Sequence, residues 1–270
     1  MRDESSRVVT RAWGGMKRWS LRVGQRARGV PIRLSNRGQG LPVPPARLLH
    51  TIGASDDVDW FLKSGRLAAV GVQDVLAKNG LDLQHFGNVL DFGCGVGRVL
   101  RHWTDLVRIG VSLHGTDQNP ELIDWCRKHL PFASFGVNRL DGRLDHPDDT
   151  FDLISAFSVF THLSEDRQLH WMAELRRVLR PGGHLIFSLH GAAYRMQLAP
   201  QDRQAFDHGA LIVLGDSEAS EGSNACAAFH PEAYVQSTLS RGWEIIDFLR
   251  EGALGNPHQD LYLLRKPTVE

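Results

Sequence analysis

Residues 89–98 read Val-Leu-Asp-Phe-Gly-Cys-Gly-Val-Gly-Arg, a short apolar stretch that runs into three glycines at alternate positions. Because glycine lacks a Cβ, such a turn can adopt positive φ angles and let the backbone approach a ligand closely. A helix that follows the turn would present unpaired N–H groups to that ligand. The stretch therefore predicts a strand at 88–91, a ligand-binding turn, and a helix over about 96–106.

The sequence on both sides of this turn alternates between strand-like and helix-like patterns. Residues 151–157 are nearly all apolar, which is typical of a strand buried on both faces. Alternation of this kind predicts a parallel sheet with helices on both sides. Further strands are predicted at about 109–117, 133–138 and 184–189, and helices at 65–78, 120–130 and 164–180; start and stop signals are Ser55-Asp56-Asp57, Asn79-Gly80 and Pro181-Gly182-Gly183.

The C-terminal part departs from this alternation. Residues 191–229 are polar and loop-like, and they are expected to close over a substrate. Residues 230–241 read as a helix. Residues 243–249 and 260–265 read as two strands with a short connection, which favours an antiparallel hairpin at the edge of the sheet.

The glycine spacing distinguishes between two kinds of nucleotide site. A dinucleotide-binding G-x-G-x-x-G motif starting at Gly93 would need a glycine where Arg98 stands, so that interpretation fails. The pattern D-x-G-x-G-x-G at 91–97 instead resembles motif I of the class I S-adenosylmethionine-dependent methyltransferases. FDLISA at 151–156 and LRRVLRPGGHLIF at 175–187 resemble later blocks of that family, and SVFTHL at 158–163 and HQDLYLLRKP at 258–267 resemble one bacterial branch of it.

The resemblance implies a fold, a cofactor and a set of site residues. The fold is a doubly wound, Rossmann-like, mostly parallel seven-stranded sheet with an antiparallel C-terminal edge hairpin, and the cofactor is S-adenosyl-L-methionine. Asp117 follows Gly97 by 20 residues and corresponds to the family's acid that accepts hydrogen bonds from both ribose hydroxyls. The implied cofactor-binding residues are Asp91, Gly93, Cys94 (through its backbone), Gly95, Gly97, Asp117, Gln118, Asn138, Leu140 and Phe157.

His162 is the candidate catalytic residue. It follows the buried strand 151–157, and some small-molecule methyltransferases of this family keep a histidine base in the corresponding block. Its ordinary pKa of about 6.5 suits proton transfer near neutral pH. Simpler interpretations remain open: His162 could only pack or cap there, the glycines could only shape a turn, and Asp117 could be a cap.

The neutral net charge conceals a basic N-terminal segment. Residues 1–40 hold ten Lys/Arg against Asp3 and Glu4, a charge of +8, so residues 41–270 carry −8. We interpret residues 1–45 as a flexible arm and residues 46–270 as a methyltransferase domain. The arm can be read as a solvated tail, as a weak contact with anionic membranes through Trp13, Met16 and Trp19, or as a nucleic-acid contact.

Composition excludes several other classes of protein. The 270 residues contain no apolar run near the 20 residues that a spanning helix needs, and the first residues lack the apolar core of a secretory signal. Three widely spaced cysteines fit a cytoplasmic protein and no metal-ligand pattern. The predicted function is methyl transfer to oxygen or nitrogen of a small-molecule, sugar or lipid-like acceptor, without specific nucleic-acid binding. The alternative is a non-catalytic, cofactor-binding scaffold that partners another enzyme.

Overall fold

A seven-stranded sheet organises the protein, with strand order β3-β2-β1-β4-β5-β9-β8. The computed structural model describes residues 40–53, 56–215 and 221–268. Strands β1 to β5 are parallel, and β9 runs antiparallel to both β5 and β8. This confirms the predicted Rossmann-like fold and its edge hairpin. The strands are β1 Asn88–Phe92, β2 Ser112–Asp117, β3 Ser134–Val137, β4 Phe151–Ala156, β5 Leu179–Leu189, β8 Glu244–Leu249 and β9 Asp260–Arg265; β6 Ile212–Leu214 and β7 Ala227–Phe229 form a separate two-stranded sheet.

Helices cover both faces of the main sheet. Successive strand residues belong to opposite core clusters: Val89 and Leu153 pack with α2, whereas Leu90 and Ile154 pack with α5. This two-sided burial is why β4 is buried at every position and is mostly apolar instead of alternating. The helices are α1 Ala46–Gly53, α2 Val58–Lys78, α3 Thr104–Val107, α4 Pro120–His129, α5 Glu165–Val178, α6 Pro200–Asp207 and α7 Glu232–Tyr234, the last continued by a π-helical turn at Val235–Leu239.

The second helix begins earlier than predicted. It starts at Val58, and the side chain of Asp57 caps it by accepting a hydrogen bond from the Trp60 N–H at 3.0 Å. The predicted start at Gly65 is wrong because this glycine lies inside the helix. A Cβ at Gly65 would overlap the carbonyl oxygen of Arg98, so the missing side chain permits close packing and does not mark a helix end.

The helix predicted over 96–106 is also wrong. The chain there forms turns, then a 3₁₀ turn at Leu100–His102 and the four-residue α3. Gly97 has φ +70°, which interrupts a right-handed helix. Bonds of the tighter i to i+3 type follow, including His102 N–H to the Val99 carbonyl at 3.0 Å.

The Pro-Gly-Gly signal lies within a strand and does not terminate a helix. Helix α5 ends at Val178, and β5 starts at once with Leu179. In the neighbouring strand β4, Phe151 pairs with Leu179 and Leu153 pairs with His184. The β5 residues between these two pairs therefore form a bulge. The backbone of Gly182 and Gly183 is paired with Lys266, which keeps this bulge within the sheet.

The described parts of the 191–229 region, residues 191–215 and 221–229, contain more regular structure than the predicted polar loop. They contain a 3₁₀ turn at Ala192–Gln197, helix α6 and the β6–β7 pair, around a small cluster of Leu198, Phe206, Ile212 and Phe229. The predicted arm falls mostly on residues 1–39, outside the described residues. Its last part is in contact with the domain, because the carbonyls of Leu41 and Pro42 accept hydrogen bonds from buried Arg101. Within the described ranges, no helix is long and apolar enough to span a membrane.

Buried histidines make stability depend on pH. Burial, reinforced by nearby arginines, lowers the pKa of His102 from 6.5 to about 4. The unfolded chain then binds more protons than the folded chain below pH 6.5, so stability is lost as pH falls. In His102→Gln, we expect the loss of unfolding free energy between pH 7.5 and pH 5 to be smaller by about 1–2 kcal/mol than in wild type. Urea unfolding at both pH values measures this; equal losses in the two proteins would contradict it.

Candidate active site

One cavity of about 340 Å³ lies at the carboxyl ends of the parallel strands. Ligands of open α/β sheets bind at this edge. The cavity brings together nearly all of the site residues proposed from the sequence. Its lining includes Asp91, Gly93, Cys94, Gly95, Asp117, Gln118, Asn138, Leu140, Phe157 and His162.

The glycine turn forms the floor of the cavity. Gly93 and Gly95 have φ +71° and +56°, and a Cβ on Gly95 would lie 2.9 Å from the Cγ2 atom of Ile52 in α1. Gly97 does not line the cavity; a Cβ there would overlap Leu130, so this glycine serves helix packing.

Asp117 connects the end of β2 to the glycine turn. Its two carboxylate oxygens accept hydrogen bonds from the Gly95 N–H and the Asn119 N–H, each at 2.9 Å. Burial raises the pKa of Asp117 above its ordinary value, although these donors oppose the shift. A carboxylate oxygen has two lone pairs, so each oxygen keeps capacity for a ligand hydroxyl.

Asp91 lies on the neighbouring strand at the same sheet edge. It is 3% exposed, and its carboxylate accepts a hydrogen bond from the Ser155 hydroxyl at 2.8 Å. Burial raises its pKa to about 7, against the opposing effects of Ser155 and Arg98. The pKa of the Asp91 carboxyl group therefore lies close to neutral pH.

Arg98 is a site residue that the sequence analysis did not identify. Its Nη2 donates to Asn256 Oδ1 at 2.9 Å, while its Nη1 is buried and has no protein partner among the described residues. The guanidinium lies 6.0 Å from the centre of the Trp60 ring. Burial lowers its pKa to about 10, so it remains charged at neutral pH. Its position directly after the glycine turn was the available signal.

The residues after β3 contribute a second unpaired polar atom. Asn138 lines the cavity, and its side-chain oxygen is buried without a hydrogen-bond partner among the described residues. Its backbone N–H donates to the Asp117 carbonyl at 3.1 Å, which fixes it beside that acid. Leu140 is held by its carbonyl, which accepts from the Trp171 indole at 3.0 Å.

His162 closes the opposite side of the cavity, at the end of a 3₁₀ turn over Phe160–His162. Its Nδ1 lies 2.8 Å from the carbonyl oxygen of Cys226. Because a carbonyl can only accept, Nδ1 carries the proton in the neutral ring. Burial lowers the pKa of His162 below 6.5, despite the opposing effect of this hydrogen bond. The sequence analysis missed His190, which lines the same side together with Tyr194 from the start of the predicted covering region.

Residues 221–226, which we call the strap, cross the cavity mouth. The Gly222 N–H donates to the His162 carbonyl at 2.7 Å, and the Gly222 carbonyl accepts from the Gln118 side chain. Asn224 reaches the Thr51 carbonyl at 3.4 Å. The strap is thus fastened to both halves of the site. In the part of the chain that the structure describes, no cluster of three or more His, Cys, Asp or Glu could hold a metal ion.

Comparison with known proteins agrees with this geometry. Residues 90–187 match the family model described as a methyltransferase domain. A tRNA N(3)-methylcytidine methyltransferase of Schizosaccharomyces pombe is 28% identical over 109 residues, 37% of this chain and 42% of that protein. The chain therefore spans less than half the length of this curated relative.

Solved structures share the fold at low identity. An S-adenosylmethionine-dependent methyltransferase from Mesorhizobium loti is 18% identical with a TM-score of 0.53, over 72% of this chain and 97% of that one. The CcbJ methyltransferase from Streptomyces caelestis is 18% identical with a TM-score of 0.52, over 76% and 90%. Residues 90–187 therefore match a methyltransferase domain by sequence, and the protein has the fold of S-adenosylmethionine-dependent methyltransferases.

Proposed function

We propose that this protein transfers a methyl group from S-adenosylmethionine to an oxygen or nitrogen atom of a small-molecule acceptor. One observation carries the proposal: two acids, Asp91 and Asp117, flank the glycine turn in one cavity, and His162 stands on its opposite side. The charged residues form the half of the cavity that we assign to the cofactor. His162 provides a proton acceptor in the other half.

The residues present fit the cofactor. Asp117 offers oxygens to the ribose hydroxyls, and Gln118 lies beside it. Asn138 and Leu140 would hold the adenine, and the unpaired oxygen of Asn138 can accept from its amino group. Gly93, Gly95 and the backbone of Cys94 allow close approach. Phe157 lines the path towards the acceptor side.

Arg98 and Asp91 extend this assignment to the amino-acid end of the cofactor. That end is a zwitterion, with one carboxylate and one ammonium group. The unpaired Nη1 of Arg98 suits the carboxylate, and Asp91 suits the ammonium. Arg98 and Asp91 also interact electrostatically with each other. A zwitterionic ligand would offer each of them a group of opposite charge.

This assignment predicts a ligand-specific loss in Arg98→Met. The variant keeps an unbranched apolar stem but loses the charge-assisted hydrogen bond, worth about 1.5–3 kcal/mol, so S-adenosylhomocysteine is expected to bind roughly ten- to hundred-fold more weakly. Methylthioadenosine, which lacks the amino-acid end, is expected to bind as it does to wild type. Calorimetric titration of both ligands measures the difference. Equal losses for the two ligands would assign Arg98 to packing.

The chemistry divides between cofactor and chain. When bound, S-adenosylmethionine supplies an activated methyl group. The chain aligns the acceptor and excludes water from the cavity. His162, neutral and protonated on Nδ1, is the side chain of this half that would take the proton that the acceptor loses. We assign residues 191–229 the role of a substrate-covering insertion, supported by Tyr194, Gly222 and Ala227, which line the cavity.

The acceptor is proposed to be a small molecule and not a nucleic acid. The yeast relative acts on tRNA by its name, but residues 41–270 here carry −8, which disfavours a phosphate backbone. We also propose that the protein is cytoplasmic. It would belong to the bacterial branch of the methyltransferase family that the SVFTHL block at 158–163 resembles. Residues 1–45 would be the arm and residues 46–270 the domain, with weak anionic-membrane contact assigned to residues 1–40.

Two measurements test the function against its alternatives. Calorimetric titration is expected to detect S-adenosylhomocysteine and no NAD; the reverse would overturn the cofactor. Methyl transfer from labelled S-adenosylmethionine is then assayed with pooled phenols, amines, sugars and lipids. Cofactor binding without transfer to any pool would favour the non-catalytic scaffold.

A further inference from the structure

The half of the cavity formed by β4, β5 and residues 191–229 carries no formal charge among its described lining residues. The charged side chains that line the cavity are Asp91, Arg98 and Asp117, all at the β1–β2 end. The other end is lined by flat or apolar groups, including Phe157, Val159, Tyr194 and Ala227. An ionised acceptor placed there would lose its hydration without gaining a counter-charge.

His190 is a polar group of this uncharged half, and the proposed function assigns it no role. It follows β5 directly, is 8% exposed, and lines the cavity. Its Nδ1 lies 3.2 Å from the Ala228 carbonyl, so Nδ1 carries the proton of the neutral ring and Nε2 is a bare acceptor. The structure gives Nε2 no hydrogen bond from the described residues.

The surroundings of His190 fix its orientation. The Tyr194 ring lies against it, with centroids 4.1 Å apart, and the Tyr194 hydroxyl donates to the Pro257 carbonyl at 2.6 Å. The His162 ring stands edge-on, with centroids 6.3 Å apart. Cys226, which directly precedes β7, and Ala228 within β7 receive the two Nδ1–H groups, so one short segment orients both imidazoles.

We infer that His190 is a positioning residue that selects a neutral, flat acceptor by taking a hydrogen bond from its hydroxyl or N–H group. This inference rests on the proposed function and names the substrate class of the same site: an uncharged aromatic compound with a free hydroxyl or N–H donor. Tyr194 and Phe157 supply flat surfaces for such a ring. Carboxylated or phosphorylated acceptors are disfavoured because the described residues of this half offer them no cation.

Three small aromatic compounds test whether the site selects a neutral hydrogen-bond donor. Phenol has a hydroxyl donor, anisole lacks this donor, and benzoate carries a negative charge. Each is titrated into protein saturated with S-adenosylhomocysteine and followed by NMR. Phenol is expected to bind at least roughly five-fold more tightly than anisole, the equivalent of one hydrogen bond, and benzoate more weakly than either. Spectra of ¹⁵N-labelled histidine should show an unprotonated His190 Nε2 that shifts when phenol is added.

A matched pair of variants separates recognition from packing. His190→Asn keeps a donor for the Ala228 carbonyl but removes Nε2, whereas His190→Gln places an acceptor near the Nε2 position. Phenol affinity is expected to fall at least about five-fold in the first variant and to be largely restored in the second. Unchanged S-adenosylhomocysteine affinity in both would show that the cofactor half is intact.

The inference is overturned if wild type does not bind phenol, if benzoate binds as well as phenol, or if His190→Asn binds phenol like wild type. Failure of this inference can be distinguished from failure of the proposed function. If S-adenosylhomocysteine does not bind, the proposed function is wrong. The three probes are then titrated into the ligand-free protein, and the same three outcomes overturn the inference there.

Discussion

Replacement of His162 by alanine is expected to lower kcat at least about 100-fold, the lower end of what general-base catalysis contributes. The physical reason is the orientation of the ring: the Cys226 carbonyl holds the proton on Nδ1 and leaves Nε2 as the base. The fold and the affinity for S-adenosylhomocysteine are expected to persist, because His162 lies across the cavity from Asp117 and the glycine turn. Steady-state kinetics with an acceptor identified by the pooled assay measures the loss.

The pH profile provides the control for this prediction. Burial lowers the pKa of His162 below 6.5, and His190 is the titratable ring that faces it. The base form is lost as pH falls through this lowered value, so the acid limb of wild-type kcat is expected below pH 6.5 and absent from the variant. If His162 only packs there, the variant loses stability by about 1 kcal/mol while its folded fraction turns over normally with an unchanged profile.

Replacement of Asp117 by alanine is expected to weaken S-adenosylhomocysteine binding by about 1.5–3 kcal/mol or more, roughly ten- to hundred-fold at least. The carboxylate is assigned to both ribose hydroxyls, and it also accepts from the Gly95 N–H at 2.9 Å. Its removal therefore takes away ligand contacts and frees the glycine turn at the same time. Calorimetric titration measures the affinity directly.

Two variants control this second prediction. Asp117→Asn keeps an oxygen for the Gly95 N–H but loses the negative charge, so an intermediate affinity is expected. Asp124→Ala removes an exposed acid from the adjacent helix α4 and is expected to bind like wild type. Wild-type affinity in Asp117→Ala would remove this residue from the ribose site and leave it as a cap of the following turn.

The sheet could be predicted from sequence because its signals are local. Strand β4 is mostly apolar, and the glycine turn follows β1 without a gap, so the parallel sheet and its ligand-binding edge could be predicted from short stretches. The positions of Asp91 and Asp117 could be predicted in the same way. Both lie near the carboxyl ends of their strands, and these ends of neighbouring parallel strands lie at the same edge of the sheet.

The misplaced elements depend on contacts between distant residues. Gly65 looks like a helix boundary until the Arg98 carbonyl is seen packed against it. The small sheet within 191–229 rests on Leu198, Phe206 and Phe229, which are scattered along a polar stretch and meet only after folding. His190 belongs to no motif, and its role arises only from the cavity that several separate segments enclose.

The strap links events at the two ends of the cavity. Gly222 is bonded through its N–H to the His162 backbone and through its carbonyl to Gln118, so the strap cannot rise from one half while it stays fastened to the other. Both contacts meet in one residue, so a displacement of Gly222 would loosen the strap from the His162 segment and from Gln118 together.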